Sequence, residues 1–145
     1  GQESGLREHL EPYVEVGAFE LGGMWNSIEM AGMGVEATFM IQAAMAALTI
    51  CGGRHLFALT SPVTRRMQKP LAFFTEDGVG DNGYFTYPTP KLRATIARYT
   101  FPEHLKDVQP EVRALLEGIW QNPEGMVHQV HGPKGELNLK FRLEV

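Results

Sequence analysis

An α/β (α+β) domain with a mixed sheet, a central buried helix and a C-terminal antiparallel hairpin is predicted by three stretches of this sequence. Residues 29–53 (EMAGMGVEATFMIQAAMAALTICGG) form one long apolar run opened and closed by glycines. Residues 13–19 (YVEVGAF) and 55–59 (HLFAL), on either side of it, suit strands, so strand, helix and strand compose a right-handed βαβ unit. Residues 136–145 alternate Leu137, Leu139, Phe141, Leu143 and Val145 with polar residues behind the turn signal HGPKG, as expected of an antiparallel strand with one wet face. A chain of 145 residues, 43% of them hydrophobic, is expected to fold as one domain over 1–145 with a sizeable core.

Taken in order, the opening GQESGLREHL reads as a frayed polar start without the apolar core of a signal peptide, and no run approaches the roughly 18 apolar residues of a membrane span. In 13–19, Tyr13, Glu15 and Gly17 alternate with Val14, Val16 and Ala18, the pattern of a strand with one buried face. The connection 20–34, which carries Trp25 and Asn26, is long enough to hold function. In the central helix Val35, Phe39, Met40, Ala43, Ala44, Ala47, Leu48 and Cys51 make the apolar stripe; Glu36, Thr38, Gln42 and Thr49 make the polar face, and Gly52 and Gly53 supply a left-handed stop. Cys51 reads as a small buried hydrophobe, and a single cysteine excludes a disulfide framework and points to a reducing, cytoplasmic compartment. Thr60 or Ser61 caps a helix that has Pro62 at its first position and runs through Met67 until Pro70 ends or kinks it. Residues 75–90 form a Gly/Asp/Pro-rich loop with one edge strand, 91–99 a short helix on Leu92, Ile96 and Tyr99, and 110–121 a helix with Val112, Leu115, Leu116 and Ile119 along one face. The formal net charge of −4, without a Lys/Arg cluster, excludes a nucleic-acid surface.

Glu29, Gly32 and Gly34 spell E-x-x-G-x-G at a loop-to-helix junction, which resembles the Q/R-x-x-G-x-G/A pyrophosphate loop of the GNAT acyltransferases. Strand, glycine turn, long helix, second strand and a helix carrying Arg65 and Arg66 follow in the order of the acetyl-coenzyme A half of that fold. VEVGAF and the later R-R-M look most like the branch containing acyl-homoserine-lactone synthases and thermostable-haemolysin-type proteins. The resemblance covers roughly residues 13–87. It implies a GNAT-like mixed sheet and acyl transfer to a small amine from acyl-coenzyme A or acyl-carrier protein, with no bound prosthetic group. The alternative is a non-catalytic binding or dimerisation module that keeps the βαβ core and pairs its C-terminal strand with a second copy as a homodimer. A third reading wraps the central helix as in a hot-dog thioesterase.

Within these readings several residues carry chemistry. The amides around Gly32, Met33 and Gly34, with Val35 in the first turn, form a phosphate site at a helix start, though a tight turn with close packing explains the glycines equally well. Thr60 and Ser61 lie at the carboxyl end of a parallel strand, where ligands of open α/β sheets bind, or simply cap the next helix. Arg65 and Arg66 suit a phosphate or a carrier-protein surface, or a solvated helix face. Glu15, a strand carboxylate near the helix start, is the candidate general base, or a partner for Arg65. Tyr84 and Tyr87 could protonate a departing thiolate or anchor their loop. No metal is expected, since His128 and His131 lack a third ligand in zinc spacing and Asp77 and Asp81 lack the calcium-loop pattern.

Overall fold

The computed structural model describes residues 2–24 and 27–144, so Trp25, Asn26 and Val145 lie outside the described residues. Its elements are α1 (Gln2–Val14), β1 (Ala18–Leu21), α2 (Thr38–Ile50), β2 (His55–Thr60), α3 (Pro62–Gln68), β3 (Phe74–Thr75), β4 (Phe85–Thr86), β5 (Arg93–Thr100), α4 (Pro110–Gln121), β6 (Val127–Gly132) and β7 (Gly135–Lys140). β1 and β2 are parallel and joined through α2, the βαβ unit that the flanking runs predict. β5 lies antiparallel to β2, giving a mixed sheet in the order β1-β2-β5-β3, with β4 also paired to β5. β6 and β7 close on each other as a separate antiparallel hairpin turning at Pro133 and Lys134, so the last strand is outside the main sheet. Among the described residues, no helix is long and apolar enough to cross a membrane.

Strand alternation sorts the sheet into two faces. Leu56, Ala58, Ala97 and Tyr99 enter the main core with Ile41, Met45, Ala46 and Leu48 of α2, Leu115, Leu116 and Ile119 of α4, and Phe141 behind β7. The Trp120 indole N–H donates to the Ala46 carbonyl (3.3 Å) and ties the two helices together. On the opposite face stand His55, Phe57, Arg98 and Thr100, and α1 covers part of it by laying the Tyr13 ring edge-on to His55 and Phe57.

Several elements differ from expectation. The strand expected at 13–19 starts only at Ala18, because Leu6, Leu10 and Val14 and, beside them, His9 and Tyr13 repeat at four-residue spacing and continue α1 to Val14. The stretch 91–99 is largely β5 rather than a short helix: its Thr95, Ile96, Tyr99 and Thr100 favour strand, and burial on both faces removes the helical pattern. α2 begins at Thr38, later than the glycine turn, and buries Ile41, Gln42, Met45, Ala46 and Leu48. Gln42 is therefore inside, and Cys51, expected in the core, is exposed. A helix apolar on nearly every side carries too little asymmetry to fix its rotation. Its end is as expected: Gly52 has φ +73° and the Gly53 N–H donates to the Leu48 carbonyl (2.8 Å). The Ser61 side chain likewise caps α3 by accepting from the Thr64 N–H (3.2 Å).

Candidate functional site

β1, β2 and β5 leave a shallow apolar trough on the face turned away from α2, and α1 roofs it only along one side. Between them lies a cleft of about 330 Å³ lined by Leu6, Leu10 and Val14 of α1, Ala18, Phe19 and Glu20 of β1, Phe57, Ala58 and Leu59 of β2, and Ile96 of β5. Four-residue spacing puts Leu6, Leu10 and Val14 on one stripe of α1, and the parallel register puts Ala18 and Glu20 opposite His55 and Phe57. Glu20 is the one charged residue in the lining and makes no ion pair or side-chain hydrogen bond with another described residue.

α1 is held on the sheet by a polar cluster built around Glu76, which is only 7% exposed. His9 Nε2 donates to one oxygen of its carboxylate (2.6 Å) and Arg98 Nε to the other. The Arg98 guanidinium also donates to Thr100 Oγ1 and lies 4.7 Å over the Tyr13 ring. Thr100 Oγ1 is 2.9 Å from His55 Nδ1, and the Thr100 N–H donates to His104 Nδ1 (2.9 Å). Burial alone would raise the Glu76 pKa, but the hydrogen bonds from His9 and Arg98 and their charges outweigh it and hold the carboxyl below its usual range. Burial, then the Arg98 charge, pushes both His55 and His104 below the ordinary histidine value.

The sign of these histidine shifts gives an expected pH dependence. With folded values lowered, the unfolded chain binds protons first on acidification, so the stabilisation is full above the unfolded histidine range and is lost as pH falls towards the folded values. The melting temperature should drop between roughly pH 7 and 5, and His55→Gln with His104→Gln should flatten that part of the curve. A melt series showing the same slope in the double variant would overturn this assignment.

The residues expected to form the site are dispersed. Glu15 is exposed in the turn between α1 and β1 and does not line the cleft. Tyr84, 39% exposed, sits under the Arg93 guanidinium (4.4 Å), which makes it a loop anchor. Thr60 is buried and bonded to Thr95 (Oγ1 to Oγ1, 3.2 Å), and Ser61 is the α3 cap. Arg65 Nε donates to Thr75 Oγ1 (2.9 Å), burial lowers its pKa, and Arg66 is exposed on α3.

The turn at Gly32, Met33 and Gly34 is not the start of α2, and its backbone is packed against the hairpin. The Lys134 N–H donates to the Gly32 carbonyl (2.8 Å), and a Cβ on Gly34 would lie 2.5 Å from the His131 carbonyl oxygen. These glycines let two backbones meet, in the space where a pyrophosphate would have to sit. Val35 instead lines a groove of about 200 Å³ with Phe39, Leu139 and Phe141.

Sequence reasoning missed Glu20, His9, Glu76 and Arg98. Glu20 lies one residue past the stretch assigned to strand. Arg98 and Thr100 share a face only once 93–100 is recognised as a strand. Comparison of the chain with protein-family models, curated proteins and solved structures returned no match.

Proposed function

We propose that this chain transfers an acyl group from a coenzyme A or acyl-carrier-protein thioester to a small amine, with the acyl chain held in the cleft beneath α1. The cleft carries this reading: its wall is apolar apart from Glu20, and each buried methylene of a ligand contributes about 0.8 kcal/mol there. β2 runs two residues beyond its last β1 partner, from Ala58 to Thr60, so its edge offers strand-like pairing to the amides of a pantetheine arm. Glu20, rather than Glu15, is the carboxylate positioned to take the proton of an incoming amine at the cleft rim. Positioning of the two reactants would supply most of the rate.

The binding-module reading is favoured by one observation, that neither Glu15 nor Tyr84 lines the cleft and the glycine turn is covered by β6 and β7. Thermal shift and thiol release separate the two. A dodecanoyl thioester of coenzyme A at a hundred times its dissociation constant should stabilise the fold by about 2.7 kcal/mol, which raises the melt by roughly 5 to 10 °C. Coenzyme A alone should do much less, and Ala18→Phe, which fills the cleft, should remove most of the shift. Thiol release that depends on an added amine selects the transferase, and no shift with any acyl thioester overturns it in favour of the binding or dimerisation module.

A further inference from the structure

We propose that the rim of the cleft selects the amine by charge, taking a primary aliphatic amine with no carboxylate next to its nitrogen and rejecting amino acids and free fatty acids. This rests on the cleft being the ligand site. Glu20 is its only charged lining residue, and no described residue neutralises it. Two cations on the sheet are committed elsewhere: Arg98 to Glu76, Thr100 and the Tyr13 ring, and Arg54 to Glu103. Arg7 and Glu11 line an adjoining groove that shares Leu6, Leu10 and Val14 with the cleft, so there the cation comes together with a second carboxylate. A carboxylate beside Glu20 would therefore meet a like charge, whereas an ammonium would meet a carboxylate that has no partner among the described residues.

Displacement of a polarity-sensitive naphthalene dye by decylamine and by decanoate, both below their micellar concentrations at pH 7.5, tests the proposal. Because the pair is exposed, decylamine should displace the dye only about two- to fivefold better than decanoate. The preference should shrink as salt is raised from about 0.01 M to 1 M, since exposed charges are screened. Glu20→Gln should leave decylamine and decanoate nearly equal, and its unchanged melt would certify the fold. Equal displacement by the two in the wild-type chain overturns the charge selection while leaving the cleft as a site for apolar chains. Displacement by neither removes the cleft reading itself, and with it this inference.

Discussion

Gly34→Ala should lower the free energy of unfolding by about 2 to 5 kcal/mol, from roughly 1 to 2 for a side chain at positive φ plus about 1 to 3 for overpacking. Gly34 has φ +83°, and the atoms its Cβ would strike are the backbone of His131, which cannot rotate away. Gly132→Ala meets the same contact from the other side, with the Gly32 carbonyl oxygen and the Gly34 nitrogen both 2.3 Å from its Cβ, and should approach the steric part of that loss. Gly52→Ala is the control, because its φ is +73° but nothing lies within 4 Å. It should cost only the conformational part, about 1 to 2 kcal/mol. Urea unfolding with a constant m-value ranks the three. If Gly34→Ala costs no more than Gly52→Ala, the hairpin does not rest on the turn, and the space over those amides is open to a ligand after all.

Arg98→Met should destabilise by about 3 to 5 kcal/mol at pH 7, the usual penalty for stranding a buried charge. It leaves the Glu76 carboxylate, 7% exposed, with His9 as its one remaining side-chain hydrogen-bond partner among the described residues. The penalty has a definite pH signature. Glu76 is held below the normal carboxyl range in the folded chain, so its stabilisation is full above the unfolded carboxyl value and disappears as pH falls through the folded one. The deficit of Arg98→Met should shrink in acid, and adding Glu76→Leu should recover much of it at neutral pH. A double variant as unstable as the single one would mean that Arg98 acts through its stacking on Tyr13 rather than through the ion pair.

The parts of this fold legible in the sequence are those fixed by local rules. The cap at Ser61 and Pro62, the glycine stop after α2, the helix 110–121 and the alternation along β7 each follow from a few adjacent residues. What escaped depends on partners distant in the chain. β5 is buried by residues far from it in the chain, α2 and α4 against Ala97 and Tyr99 on one face and Tyr13 of α1 against Arg98 on the other, and no window of eight residues contains that information. The site is hidden for the same reason, since His9, Glu76 and Arg98 share no spacing and meet only when α1 lies across the sheet. The glycines at 32 and 34 were visible, but their sequence does not say whether the neighbour admitted by a missing side chain is a ligand or another strand.

β5 is the strand to which β2, β3 and β4 all pair, and its partners on β2 lie 35 to 45 residues earlier. During synthesis the parallel pair β1 and β2 therefore emerges with one edge of HLFALT open and unpaired. It stays so until the ribosome has delivered residues 93–100. An open, apolar edge of this kind invites pairing with other chains. Nascent chains halted before Arg93 should accumulate in the insoluble fraction, while those halted after Gln121 can close the sheet with α2 and α4 already on its face.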